Sequence, residues 1–137
     1  MELPTQKKGI ITELQVATYL IQLGYNVSQP FSQDSKYDLI VDVNGRLLRL
    51  QVKTARLSSE SSITFNCRTT TTNVKNCLSR RYSSDEVDYF ATYWNNVVYL
   101  VPINECSTQK SLHFHKTNRK DWCYMEDYEA RKVLSNL

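Results

Sequence analysis

Residues 37–54 have the sequence YDLIVDVNGRLLRLQVKT, in which two apolar runs flank an Asn-Gly pair at 44–45. Asn-Gly is the preferred dipeptide of a two-residue type I′ turn, so this stretch predicts a β-hairpin. The short turn fixes the register and places Asp38 directly opposite Gln51. One face of the hairpin is then apolar, and the other carries Asp38, Gln51 and, one step further along, Lys53.

The segment before the hairpin predicts a helix and a short strand. Apolar residues at helical spacing indicate a helix from Thr5, which we expect to be its cap, to about Leu23. The predicted apolar stripe consists of Ile10, Leu14, Ala17 and Ile21. A strand near residues 25–29 and a polar loop follow. The chain therefore begins with a helix and continues into the hairpin.

The segment after the hairpin is richer in strands. We expect a third strand of the first hairpin at 63–67, a second hairpin around Asn95-Asn96, a short strand at 112–115 and a closing helix at 126–134. Residues 69–83 are compatible with either a helix or a loop. The order of elements predicts an α+β fold with a central mixed β-sheet flanked by helices.

Composition limits the class of protein. The chain has 137 residues, 41% of them hydrophobic and 23% charged, which is typical of one globular domain. The sequence has no apolar run close to the roughly 20 residues that a membrane helix needs, and its first eight residues lack the apolar stretch of a secretion signal. We therefore expect a cytoplasmic protein with no membrane partner.

Positive charge is concentrated in the middle of the chain. Eight Lys or Arg residues and a single acid, Glu60, give residues 44–82 a net charge of +7, whereas the whole chain carries +3. A basic segment between acidic ones suits a surface that binds a polyanion such as DNA. A solvated basic surface without a partner is the alternative.

The polar face of the hairpin carries groups that can perform chemistry. Asp38 can bind a hard divalent cation, and Gln51 can add a neutral oxygen ligand. Lys53 can stabilise developing negative charge or take part in proton transfer. The structural alternative is a cross-strand hydrogen bond between Asp38 and Gln51 beside an exposed lysine.

Three motifs in order resemble a known family. Asp38, followed after a tight hairpin by Gln51-Val-Lys53, resembles the core of the PD-(D/E)xK nucleases. Lys8-Gly9-x-x-x-Glu13 resembles the helix motif of archaeal Holliday-junction resolvases in that superfamily. Over residues 5–103 the chain is most similar to homing endonucleases encoded in cyanobacterial group I introns. The resemblance implies one domain, 1–137, with a restriction-endonuclease-like core at about 5–103 and a C-terminal extension at 104–137.

The resemblance also implies roles for individual residues. Asp38 would be the metal-binding acid, and Gln51 stands where most of the superfamily has Glu or Asp. The backbone carbonyl of Val52 would be a further metal ligand. Lys53 would be the catalytic lysine, and Glu13 would complete the site from the helix. The implied reaction is hydrolysis of a DNA phosphodiester with Mg²⁺, for which Mn²⁺ can substitute.

The amide at position 51 leaves alternatives open. Compared with the Glu or Asp of most of the superfamily, Gln51 gives the metal site one negative charge fewer. The intron-encoded enzymes also have Gln at this position. The site is then a working one, one inactivated by replacement of a Glu with Gln51, or one that has lost activity in a catalytically silent DNA-binding protein. A Holliday-junction resolvase is a further alternative, because Lys8-Gly9-x-x-x-Glu13 fits it equally well.

The resemblance implies double-stranded DNA as the partner. The expected target is a long pseudo-palindromic site, possibly in a tRNA gene, bound by a homo-oligomer, a tetramer in preference to a dimer. Basic residues of the middle segment and of the helix start are candidates for contact with the phosphates or the bases. The candidates are Lys8, Gly9, Arg46, Arg49, Arg56, Arg68, Lys75, Arg80 and Arg81.

Overall fold

The computed structural model describes residues 1–72 and 77–137, with all of their side chains except those of residues 69–72 and 77–80. The described residues form two α-helices, ten strands and two short 3₁₀ helices. In chain order they are α1 Thr5–Gln22, β1 Asn26–Ser28, β2 Leu39–Val43, β3 Arg46–Val52, β4 Arg56–Ser59, β5 Ser62–Asn66, β6 Arg68–Thr72, β7 Cys77–Arg81, β8 Tyr89–Trp94, β9 Val97–Pro102, a 3₁₀ helix Ile103–Glu105, β10 Gln109–His113, a 3₁₀ helix Met125–Asp127 and α2 Ala130–Ser135.

The described strands are arranged in three sheets. The largest has the order β1-β2-β3-β8-β9, in which only β3 and β8 are parallel. A second, antiparallel sheet has the order β10-β5-β4, and β6 and β7 form a two-stranded antiparallel pair. The prediction of an α+β fold with a helix, a hairpin and a central mixed sheet is confirmed.

The first hairpin has the predicted register. Val43 pairs with Arg46, and Asn44 and Gly45 have φ values of 54° and 91°, as a type I′ turn requires. The predicted apolar face is buried; it consists of Leu39, Val41, Leu48, Leu50 and Val52. Alternate residues of β2 and β3 therefore point into the core, and the opposite face remains available for polar groups.

The helix α1 has the predicted length but a different cap. It begins at Thr5, and Pro4 occupies the N-cap position without any side-chain capping bond. The prediction that Thr5 caps the helix is therefore wrong. Proline suits this position because its fixed φ is compatible with a helix start and it has no N–H to satisfy.

The predicted buried face of α1 is also wrong. The buried residues are Thr12, Val16 and Leu20, on a face rotated by roughly a third of a turn from the predicted stripe. Most of that stripe faces outward, with side chains of Ile10, Leu14 and Ile21 that are 50–60% exposed. The sheet determines which face is buried, and the sheet meets α1 on the side that carries the threonine.

The middle of the chain differs from the prediction in two places. The strand predicted at 63–67 exists as β5, but it pairs with β4 and β10 instead of extending the first hairpin. The neighbour of β3 on that side is β8. Within 69–83, β6 and β7 form a hairpin, which is neither the helix nor the loop considered above.

Two buried clusters hold the elements together. In the first cluster, α1 packs on the large sheet, and Leu134 from α2 joins it. In the second, β5 and β10 pack against Phe90 and Val101 from the opposite face of the sheet. The predicted second hairpin is confirmed as β8 and β9, and the closing helix as a 3₁₀ turn followed by α2. Among the described residues, no helix is long and apolar enough to span a membrane.

Candidate active site

The hairpin places Asp38 at the end opposite its turn. Asp38 directly precedes β2, and its backbone N–H donates to the carbonyl of Leu50 at 2.8 Å. Its Oδ2 accepts a hydrogen bond from the backbone N–H of Val52 at 2.9 Å. These two bonds hold the carboxylate against the end of β3, next to Gln51.

The end of β3 supplies the amide and the amine. Gln51 is half-buried and lines the same cavity as Asp38 and Tyr82. Lys53 is the first residue after β3 and is half-buried too. Its Nζ donates to the backbone carbonyl of Arg68 at 2.9 Å and lies 5.1 Å from the centre of the Tyr82 ring. The lysine is therefore held beside the cavity and does not extend into solvent.

A threonine pair brings α1 to the site. The hydroxyls of Thr12 and Thr54 share a hydrogen bond of 2.9 Å, which joins the buried face of α1 to the segment just after Lys53. Glu13 is the next residue of the helix and lines a cavity together with Asp38. The structure thus brings Glu13, Asp38, Gln51 and Lys53 from three separate segments to one cleft.

The cleft consists of two adjoining cavities with Asp38 between them. One, of about 370 Å³, is lined by Gly9, Glu13 and Asp38, and the other, of about 260 Å³, by Asp38 and Gln51. The loop between β1 and β2, residues 29–37, contributes to the walls of both. Both cavities are open to solvent on one side.

The charges of the cleft repel each other. Burial, followed by the negative charge of Asp38, raises the pKa of Glu13 to about 7. Burial also raises the pKa of Asp38, although the Val52 N–H and the charge of Lys53 act in the opposite direction. Burial lowers the pKa of Lys53, against the attraction of Asp38. Two half-buried carboxylates, one of which is further destabilised by the charge of the other, are a suitable environment for a cation.

The donor set fits a hard divalent cation. No group of three or more His, Cys, Asp or Glu comes together within the described part of the chain. A cation here would therefore be held by carboxylate oxygens from Asp38 and Glu13, supplemented by neutral oxygens such as the Gln51 amide. Mg²⁺ accepts such sites because it keeps several of its waters and needs only one or two carboxylates.

The two predicted DNA-binding residues at the start of α1, Lys8 and Gly9, have different surroundings. Gly9 lines the cavity beside Glu13, and a Cβ built there would meet no atom within 4 Å. The glycine therefore leaves open space at the mouth of the cleft without being sterically required. Lys8 is exposed and forms an ion pair with Glu2. Both residues lie on the first turns of α1.

Among the predicted arginines, Arg49 has an extensive set of protein contacts. Its guanidinium binds Asp88, with Nε–Oδ2 and Nη2–Oδ1 distances of 3.1 Å, and Nη2 also donates to the carbonyl of Ser84 at 2.9 Å. The backbone N–H of Arg49 donates to the same Asp88 carboxylate at 2.7 Å. Arg49 therefore ties the segment before β8 to β3, and its contact with DNA stays a prediction.

The other predicted DNA-binding residues are spread over several strands, and not all of them are near the site. Arg46 follows the hairpin turn, and Arg56 is exposed on β4. Arg68 and Arg81 are Cα partners at the base of the β6–β7 hairpin. Arg80 belongs to β7, where only its backbone is described. Lys75 lies outside the described residues.

Sequence reasoning missed three residues of the site. Thr12 and Thr54 tie α1 to β3, and Tyr82 covers Lys53. Thr12 has a detectable signal, since it shares helical spacing with the apolar residues Val16 and Leu20. Tyr82 has none, because its place depends on the pairing of strands that are distant in sequence.

Comparisons with known proteins agree on the fold. A family profile described as PD-(D/E)XK endonuclease matches residues 3–131. Among solved structures, the chain is similar to a bacterial homing endonuclease, I-Ssp6803I, with a TM-score of 0.76 and 24% sequence identity. This similarity covers 98% of the chain and 95% of that protein. No curated protein matches the chain.

Proposed function

Since the chain belongs to the PD-(D/E)XK endonuclease family, we propose that it is a Mg²⁺-dependent, sequence-specific endonuclease that cuts double-stranded DNA in intron homing. One observation carries the proposal: Glu13, Asp38 and Gln51 line one open cleft, and the ammonium group of Lys53 is held at its edge, close enough to interact with Asp38. The similarity to a structure described as a homing endonuclease supports the homing role. The protein would act on DNA in the cytoplasm.

The residues of the cleft have distinct roles in this proposal. Asp38, Gln51 and the carbonyl of Val52 would hold Mg²⁺, or Mn²⁺ in its place, and Glu13 would add a second carboxylate. When bound, the ion neutralises phosphate charge and lowers the pKa of water. Lys53 would keep its ammonium group near the phosphate and stabilise the negative charge that develops there.

The basic segment would bind the DNA. Phosphates would be contacted by the exposed basic residues around the cleft, and some arginines would contact guanine edges in the major groove. The proposed contacts are Lys8, Gly9, Arg46, Arg49, Arg56, Arg68, Lys75, Arg80 and Arg81. A long pseudo-palindromic target, for which a tRNA gene is the first candidate, would match a symmetric assembly.

We propose a homo-oligomer, a tetramer in preference to a dimer. A double-strand cut needs two active sites, and each chain has one candidate cleft. The outward face of α1 supports self-association, because Ile10, Leu14 and Ile21 are exposed there. Exposed apolar side chains grouped on one face are typical of protein interfaces.

The proposal is tested by a cleavage assay with Mg²⁺ on three labelled DNAs: an intronless tRNA gene, an unrelated duplex and a four-way junction. We expect cutting of the tRNA gene alone. The Lys53→Ala variant should not cut, while Lys132→Ala, an exposed lysine on α2, should cut at the wild-type rate.

Other outcomes of this assay favour the alternatives. Cutting of the junction alone would identify a resolvase, for which Lys8-Gly9-x-x-x-Glu13 is the supporting motif. DNA binding without cutting in Mg²⁺ and in Mn²⁺ would identify a catalytically silent DNA-binding protein, for which the amide at Gln51 is the supporting observation.

A further inference from the structure

The two ends of the β6–β7 hairpin meet at Lys53. Arg68 begins β6 and is the Cα partner of Arg81, which ends β7. The carbonyl of Arg68 accepts a hydrogen bond from Lys53 Nζ at 2.9 Å, and the ring of Tyr82, the residue after β7, lies 5.1 Å from the same nitrogen. The ammonium group is thus held between the first residue of the hairpin and the residue that directly follows it.

The ring of Tyr82 is itself fixed by the core. It packs edge-on against Phe90, with the ring centres 5.5 Å apart and an angle of 81° between the planes. Phe90 is buried in β8, next to Gln51 in the register. Tyr82 also lines the cavity that contains Asp38. The ring therefore forms a rigid wall of the cleft.

The base of the hairpin is anchored on both sides. Arg81 Nη2 donates to the carbonyl of Cys106 at 3.0 Å, and the backbone N–H of Arg68 donates to Oδ1 of Asn66, the last residue of β5, at 2.8 Å. The first bond ties the end of β7 to the segment before β10, and the second fixes the start of β6 to the end of β5. The position of the Lys53 nitrogen is consequently set by well-anchored groups.

We propose that Tyr82 is a positioning residue, whose ring acts with the Arg68 carbonyl to hold the Lys53 ammonium group at the edge of the cleft beside Asp38. This inference rests on the proposed function only for the catalytic role of Lys53. A lysine side chain has four rotatable bonds, and a face of an aromatic ring restricts its head group while favouring its positive charge. Loss of the ring lets the amine move away from the phosphate.

The chain contains an internal control for this contact. Lys110 Nζ lies 5.6 Å from the centre of the Tyr128 ring, on the side of the molecule formed by β10. This second lysine–tyrosine pair includes none of the residues of the cleft. A change at Tyr128 should alter the environment of Lys110 and leave Lys53 unaffected.

The first test is nuclear magnetic resonance of the lysine side chains, with the Lys53 signal assigned by its loss in Lys53→Arg. We expect the Lys53 methylene protons to be shifted upfield by the ring current of Tyr82. Tyr82→Phe should retain the shift, and Tyr82→Leu, which preserves apolar volume, should abolish it. Tyr128→Leu should abolish the shift of Lys110 alone.

The second test is kinetic and uses a DNA that the wild type cuts. Tyr82→Leu should lower kcat about tenfold with little change in KM, which corresponds to the loss of one cation–π contact. Tyr82→Phe should restore most of the rate, and Tyr128→Leu should cut like the wild type. If Tyr82 had only a structural role, kcat would instead fall to a similar extent in Tyr82→Leu and in Tyr128→Leu.

Two results would overturn the proposal: a Lys53 signal that is the same in the wild type and in Tyr82→Leu, or a Tyr82→Leu variant that cuts with the wild-type kcat. The magnetic resonance test needs no cleaved DNA. Failure of the proposed nuclease function is therefore distinguishable from failure of the contact between Tyr82 and Lys53.

Discussion

At the scale of single residues, the cleft contains an unusual balance of charge. Two carboxylates, Glu13 and Asp38, share it with one ammonium group, and Gln51 supplies an amide where most of the superfamily has an acid. The Val52 N–H holds one oxygen of Asp38 at 2.9 Å. One oxygen of Asp38 is therefore fixed by the backbone, and the site has one acid fewer than the PD-(D/E)xK pattern.

Restoring the acid should strengthen metal binding. Gln51→Glu adds a negative charge in direct reach of the cation, so we expect the affinity for Mg²⁺ to rise by about tenfold or more. Isothermal titration calorimetry measures this affinity for Mg²⁺. Asp38→Asn should abolish binding, and Asp42→Asn should not, because Asp42 accepts the Gly45 N–H within the turn. Equal affinities of the wild type and Gln51→Glu would remove Gln51 from the metal site.

The raised pKa of Glu13 predicts a pH-dependent stability. Its pKa of about 7 in the folded protein exceeds the ordinary value of 4.5, so the folded state binds more protons between those values. The free energy of unfolding should therefore fall as pH rises from 4.5 to 7. Without metal, Glu13→Gln should be more stable than the wild type at pH 8 and no more stable at pH 4. Urea unfolding at both pH values tests this, and a difference independent of pH would contradict it.

At the scale of elements, features that depend on neighbouring residues could be predicted from the sequence, whereas features that depend on distant contacts could not. The register of the β2–β3 hairpin follows from its two-residue turn and from the alternation of apolar and polar residues. Both features lie within a stretch of 18 residues. Asp38, Gln51 and Lys53 could be placed on one face for the same reason. The buried face of α1 could not, since it depends on where the sheet lies. Ile10 and Leu14 satisfy the helical period as well as Val16 and Leu20 do.

The β6–β7 hairpin had no detectable signal in the sequence. Its strands are rich in threonine and arginine, with neither alternating apolar residues in them nor a glycine in the sequence between them. Tyr82 was missed for the same reason, because it reaches Lys53 only when this hairpin forms. The family resemblance, based on Asp38, Gln51 and Lys53, is confirmed by the match over residues 3–131.

The closing helix is part of the main core, although the sequence places it in an extension. Leu134 of α2 is 1% exposed and joins the cluster beneath the large sheet. Leu134→Ala should lower the free energy of unfolding by about 2–5 kcal/mol, because it removes buried methyl groups and leaves a cavity. Leu137→Ala, at a side chain that is 47% exposed, is the matched control. Similar losses in the two variants, measured by urea unfolding, would exclude this role for α2.

At the scale of the whole molecule, the exposed apolar face of α1 and the basic middle segment point to different partners. Residues 14–33 contain no charged side chain, and they include the second half of α1 and all of β1. A surface without charge is unsuited to phosphates, whereas residues 44–82 carry eight Lys or Arg residues and a single acid. If both proposals hold, this separation would allow one chain to contact DNA and another copy of itself at the same time.

Charge placed on the outward face of α1 should break the oligomer. The double variant Leu14→Asp and Ile21→Asp buries two unpaired carboxylates at the proposed interface, so we expect monomers in sedimentation velocity. Leu57→Asp, at a similarly exposed leucine on β4, should leave the assembly intact. A double variant that sediments like the wild type would place the interface elsewhere.

We propose above all that the cleft formed by Glu13, Asp38, Gln51 and Lys53 cuts DNA at a specific sequence. Its most direct test is incubation with a random-sequence duplex library and Mg²⁺, followed by sequencing of the cut ends. We predict double-strand cuts at one recurring site for the wild type and for Lys132→Ala, and none for Lys53→Ala. Absence of cutting in both Mg²⁺ and Mn²⁺ would contradict the proposal that this protein cuts DNA. A Lys53→Ala variant that cuts like the wild type would contradict the proposal that this cleft is the active site.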